Sequence, residues 1–262
     1  VSTEARICFD NMAHISGSTV ASHDQSGTDY LIDNMTTIKW RPANTAPTIR
    51  YSGLFTDVDY IGLAGVNWSS AGCSLVVKDS LGSTIASFSG LSDNQPALAI
   101  VTKTTQTVIF FEFTCTQTTL EIGEIYFGQS IILPKKVSVG YKPGRWGNND
   151  IVTTGKTEKN NPTGSTIRAR GMTEVFSLNF LDITFMEGVF KTFIKSAQGL
   201  AIFFIWDTLQ EDHAIYGMWE VSDPAFVNSV SSSISMTIKG DAGVIIDNTL
   251  SGSEGGNTGG FR

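Results

Sequence analysis

At 262 residues the chain has length for two domains of roughly 100–150 residues each, and its 41% hydrophobic content fills real cores. With 16% charged residues and a formal net charge of −7, it excludes nonspecific nucleic-acid binding, which needs clustered Lys and Arg, and an electrostatic membrane anchor. No run reaches the ~18 apolar residues that a spanning helix requires.

In chain order, Val1 to Arg6 lacks the basic and apolar regions of a signal peptide, and a start at Val is read as loss of the initiator. Ala5 to Met12 predicts a first strand, and Gly17 to Tyr30 a loop with one weak strand. Met35 to Trp40 follows, stopped at Pro42; Pro47 to Tyr51 resumes alternation. Asp59 to Trp68 is the organising stretch, a buried strand broken at Gly65, and Cys73 to Lys78 alternates as a half-buried strand. Ser83–Phe88, Ala97–Val101, Thr107–Thr114 and Leu120–Gly128 continue a pattern of short strands with turns between them, as in an antiparallel sandwich.

The Trp40-Arg41 turn, the strand ending Gly65-Val66-Asn67-Trp68, the strand ending Lys78-Asp79-Ser80 and the closing Ile122-Gly123-Glu124-Ile125-Tyr126-Phe127-Gly128 resemble the galactose-binding-like (discoidin-type) jelly roll of many phage tail proteins. The resemblance covers roughly residues 5–133.

Leu133-Pro134-Lys135-Lys136 marks a boundary, and Lys142 to Asp150 is turn chemistry. Thr153 to Arg170 reads as a long exposed hairpin or loop, an arm for a neighbour or a plain surface segment. Val175–Leu181 is a strand leading to an amphipathic helix. Thr184 stands at its N-cap with Glu187 three residues on. Met186, Val189, Phe190, Phe193, Ile194 and Ala197 form its apolar face, and Gly199 ends it. Leu200–Trp206, Ala214–Val221 and Val230–Gly240 complete a sheet. This half resembles the β-rich assembly domain of phage tail-tip or baseplate proteins, through a "GLAIFFIWD"-like strand followed by "YGMWEV".

The expected class is therefore mainly β: a sandwich jelly roll over 1–133, a smaller α+β domain with one helix on a sheet over 134–250, and a flexible Gly/Ser-rich tail over 251–262. Cys8, Cys73 and Cys115 are odd in number and widely spaced. They predict buried reduced thiols in a reducing cytosol, with no disulfide framework and no zinc site.

Catalytic constellations are not found. His14, His23 and His213 accompany no G-x-S-x-G frame, and Glu121 with Glu124 and Glu211 with Asp212 read as solvated charge. Asp24, Asp29 and Asp33 lack calcium-loop spacing, so neither metal nor cofactor is expected. Trp40, Arg41, Asn67 and Trp68 read two ways: stacking and hydroxyl bonding to a glycan, or core plugs with Arg41 capping strand ends, the latter weighing more. Arg145, Trp146, Arg168 and Arg170 are the candidate assembly contacts.

The resemblance implies a non-enzymatic component of a phage tail tip or baseplate. It would be made in the host bacterial cytoplasm and carried in the virion, where it assembles with itself and with other tail proteins and contributes to host attachment. The alternative is a carbohydrate-binding module for a host surface glycan. Neither reading involves nucleic acid or membrane insertion.

Overall fold

The computed structural model describes residues 5–15, 17–20, 31–32, 39–134, 151–156, 162–169, 172–208, 214–226 and 231–247. The first half carries β1 (Arg6–Cys8), β2 (Gly17–Val20), β3 (Thr48–Ala64), the single turn α1 (Trp68–Ala71), β4 (Cys73–Lys78), β5 (Thr84–Phe88), β6 (Ala97–Cys115), β7 (Glu124–Gly128) and β8 (Ser130–Ile132). The second carries β9 (Ile151–Lys156), β10 (Pro162–Ala169), β11 (Met172–Asp182), α2 (Ile183–Phe185), α3 (Lys191–Ser196), β12 (Ile202–Ile205), β13 (Ala214–Val221), β14 (Ala225–Phe226) and β15 (Ser231–Asp247). The mainly β class is as expected, with a sandwich in the first half and a helix packed on a sheet in the second.

Segments that read as separate strands merge. Pro47–Tyr51 and the organising stretch belong to one strand, β3, and Ala97–Val101 and Thr107–Thr114 belong to β6. The two run antiparallel, with register shifts between Ser52 and Tyr60. Such bulges bend a pair of strands and increase its twist. On either side of that waist the partners change. Ile49–Ser52 of β3 pairs with β2 and Phe110–Cys115 of β6 with β4, whereas Tyr60–Ala64 pairs with β7 and Ala97–Ile100 with the end of β15. Each long strand thus serves both layers of the sandwich. The layers meet edge-on through rings: Phe127 of β7 lies 5.2 Å from Tyr51 and 5.0 Å from Phe55.

The second sheet runs β11-β15-β13-β12-β1-β8. Ile202-Phe203-Phe204-Ile205 is apolar throughout because both faces of β12 are buried. Ile202 and Phe204 join the core beneath the helix with Phe190 and Phe193, and Phe203 and Ile205 join Tyr60, Leu98, Tyr126 and Tyr216 against the sandwich. At that seam Gly62 has a reason to be glycine: an added Cβ would lie 2.7 Å from the Phe203 ring.

Chain connections therefore cross residue 133. β1, at the start, pairs with β12, and the end of β15 runs parallel to β6. β9 and β10 form a separate two-stranded hairpin where an exposed arm was expected.

Four expectations are corrected. Cys73 and Cys115 sit directly opposite each other on β4 and β6 and form a disulfide; the odd count arises because Cys8 alone is free, and buried. Trp68 opens α1 instead of continuing a strand, since Gly65 (φ 69°) turns the chain first. Glu124, read as solvated, is fully buried. Asp182, not Thr184, caps the helix, its Oδ1 accepting from the Thr184 amide at 2.7 Å.

Candidate functional site: a cleft between sandwich and helix

Two backbone irregularities face each other across one cleft. The first is the waist of β3, where Asp57 adopts φ 59°, a left-handed conformation uncommon outside glycine, and pairs with Lys103 of β6 at 3.0 Å. The second lies between α2 and α3. Met186–Phe190 forms a π-helical turn in which the Lys191 amide donates to the Met186 carbonyl, five residues back. The extra residue rotates Val189 off the predicted apolar face: it is 48% exposed, while Phe190 and Phe193 stay buried.

The cleft, about 640 Å³, lies between them. Its lining comes from the segment after β1 (Phe9, Asp10), the waist (Asp59, Lys103), the β7–β8 corner (Gln129 to Ile132) and the helix (Phe185, Gly188, Val189, Thr192). Phe9 is braced from behind, 5.0 Å from Phe193. Thr192 Oγ1 donates to the Gly188 carbonyl at 2.7 Å. Gly188 itself faces open space, where an added Cβ meets nothing within 4 Å.

The polar groups are unequally engaged. Asp59 accepts the Ser130 amide on Oδ1 at 2.7 Å and the Ser130 hydroxyl on Oδ2 at 2.9 Å, and Arg6 Nη1 stands 3.4 Å from Oδ2. Burial nevertheless raises the Asp59 pKa above the usual carboxylate value, outweighing the lowering effect of Ser130, Arg6 and Lys103. Asp10 is raised too, by burial alone. Its backbone carbonyl accepts from the Tyr60 hydroxyl at 2.7 Å, but its carboxylate has no hydrogen-bond or ion-pair partner among the described residues.

Two carboxylates in one cleft invite a glycosidase reading, in which one acts as acid and the other as base or nucleophile. The geometry speaks against it: both Asp59 oxygens are tied to Ser130 and Arg6 and are not presented to a substrate. Among the described residues no group of three or more His, Cys, Asp or Glu is placed to hold a metal ion.

The residues singled out in the sequence lie elsewhere. Trp40 and Trp68 are each 1% exposed; Trp40 sits on a β-bridge to Ile122, and Trp68 stacks on Phe88 at 6.2 Å. Neither ring is available to stack on a sugar. Arg41 is exposed and pairs with Glu121 at 2.5 Å. Asn67 ties a loop to α1, donating to the Thr119 carbonyl and accepting from the Glu121 amide, both at 2.7 Å. Arg145, Trp146 and Arg170 lie outside the described residues, as do His23, His213, Asp24, Asp29, Asp33, Glu211, Asp212 and the 251–262 tail; Arg168 falls on β10, with its side chain outside the description. The cleft residues escape a sequence reading because they come from five separate segments. The one local signal was a pair of acids, Asp57 and Asp59, immediately before the buried run Tyr60–Ala64.

No protein-family model matches the chain, and no curated protein matches it. Some solved structures do. Chitosan-binding module 1 of a chitosanase/glucanase from Paenibacillus sp. IK-5 is 17% identical, the match covering 46% of this chain and 99% of the module with a TM-score of 0.36. CpGH89CBM32-6 from Clostridium perfringens is 16% identical over 46% of this chain and 99% of its own, with a TM-score of 0.36. A GH29 fucosidase of Ruminococcus gnavus, in complex with fucose, is 14% identical over 47% of this chain and 27% of the fucosidase, with a TM-score of 0.37. At such identities and scores these likenesses carry no function across. None of the three is a phage protein, and the tail-tip expectation gains no support from them.

Proposed function

We propose that this chain is a non-catalytic binding module that holds a carbohydrate in the cleft between the sandwich and the helix. The observation that carries this reading is the convergence of the bulged β3 waist, with its left-handed Asp57, and the π-turn at Met186–Phe190 on the same opening. Irregular backbone of both kinds gathers at functional sites, where it re-aims side chains. The volume, about 640 Å³, falls in the range of small-ligand sites. The lining is amphipathic in the way a pyranose is. Phe9, Phe185 and Val189 offer apolar surface to ring C–H faces, and Lys103, Gln129 and Asp10 offer donors and acceptors to hydroxyls. The virion-assembly reading has no comparable feature among the described residues and is set below this one.

The test is a glycan array followed by calorimetry on the full chain and on Gly188→Trp. An added Cβ at this position meets nothing within 4 Å, so the indole starts without a clash and extends into the cleft, and the melting temperature checks the fold. Binding that falls at least about tenfold in Gly188→Trp, at an unchanged melting temperature, supports the site. Sugar binding indifferent to that substitution, or turnover of a bound glycan, overturns it. Light scattering on the same samples tests assembly, and a large oligomer without sugar affinity would restore the tail-protein reading.

A further inference from the structure

Resting on that reading of the cleft, we infer that the ligand carries a protonated amine, an amino sugar being the carbohydrate of that description, and that the Asp10 carboxylate receives it. The charged groups lining the cleft are Asp10, Asp59 and Lys103. Asp59 is engaged by both Ser130 donors and by Arg6. The Lys103 ammonium is matched by Asp57 at 3.0 Å. The helix wall contributes Phe185, Gly188, Val189 and Thr192, none of them charged, and its Glu187 and Lys191 pair with each other at 2.5 Å. The β7–β8 corner adds neutral Gln129 and Ser130.

One charge is left uncompensated, the half-buried carboxylate of Asp10, which has no partner among the described residues. Withdrawing such a group from water is unfavourable unless something pairs with it. Its raised pKa, caused by burial alone, shows no opposing effect from a nearby cation. A ligand ammonium is the group that satisfies it best: three donors, and a charge-assisted bond stronger than one from a hydroxyl. The formal net charge of −7 draws cations towards the surface in the same sense and holds polyuronates away.

The experiment measures calorimetric affinities of the full chain for a glucosamine trisaccharide, its fully N-acetylated counterpart and a uronate trisaccharide. It is run at about pH 6, where an amine as basic as an α-amino group is protonated. Acetylation removes the charge and keeps the rest of the sugar. The expected result is an amine-bearing ligand bound about tenfold more tightly than the acetylated one, with the uronate weakest. Asp10→Asn should bring that ratio to about one, whatever it costs both ligands in common through lost hydroxyl contacts. Equal affinities in the wild type, or a preference that survives Asp10→Asn, overturn the inference. If Gly188→Trp still abolishes binding of both sugars in that case, the cleft reading stands and only the amine assignment fails. Sugar binding untouched by Gly188→Trp removes both.

Discussion

At the scale of single residues, the acids of the cleft set a pH dependence with an unusual sign. Asp10 is held above its ordinary pKa by burial, so between that ordinary value and the raised one the folded chain binds more protons than the unfolded chain. Its contribution to stability is fully present below the usual carboxylate range and is lost as pH rises through the folded value. Most paired carboxylates behave in the opposite way, because their folded pKa is depressed; exposed Asp93 and Asp182, each bonded to a neighbouring hydroxyl residue, are of that kind here. Total stability mixes the two signs, so the informative quantity is a difference. Thermal melts of Asp10→Asn and wild type from about pH 4 upward should diverge, the variant gaining on the wild type as pH rises. A constant gap would mean that Asp10 is already compensated.

At the scale of elements, the disulfide between β4 and β6 is the largest departure from expectation. Cys73 and Cys115 are 42 residues apart in sequence, and a count of three conceals such a pair, since alternation reveals which face each occupies but not which strands adjoin. Closing a loop of that length stabilises by roughly 4 kcal/mol in the chain-entropy account. For a chain of this size that corresponds to about 10 °C in melting temperature. Melts with and without reductant should differ by an amount of that order, and alkylation before reduction should modify none of the three cysteines in the native state, Cys8 being buried and the other two bonded to each other. Other elements were legible for the reason that their physics is local. Apolar runs such as Ile202–Ile205 and the alternation of β4 announced strands, and the Met186–Ala197 periodicity announced a helix. What failed was irregular: bulges interrupt alternation and divided β3 and β6 in the reading, and the π-turn shifts a 3.6-residue pattern, so Val189 was assigned to the core. These failures coincide with the cleft proposed to hold the ligand, and functional sites are where local rules commonly give way.

At the scale of the whole molecule, the two halves share a core. Tyr60, Leu98 and Tyr126 of the sandwich pack on Phe203, Ile205 and Tyr216 of the second sheet, with Tyr126 and Phe203 5.7 Å apart edge to face. Strand pairings and core contacts cross residue 133, where the Pro134 signal places a boundary. A fragment spanning 1–134 would expose that aromatic face and leave β1 without β12, so it should bind a hydrophobic dye and aggregate where the full chain does neither. A soluble, monomeric fragment with a sharp melt would show the halves to be independent. The parallel pairing of Val244–Asp247 with Ala97–Ile100 carries a consequence for biosynthesis. The sandwich lacks one of its strands until about 116 further residues have left the ribosome after Gly128, an interval of roughly 6–23 s at ordinary translation rates. During that interval the open edge of β6 is a nascent-chain surface that chaperones would be expected to occupy, and swift elongation through the second half becomes part of how this protein reaches its native state.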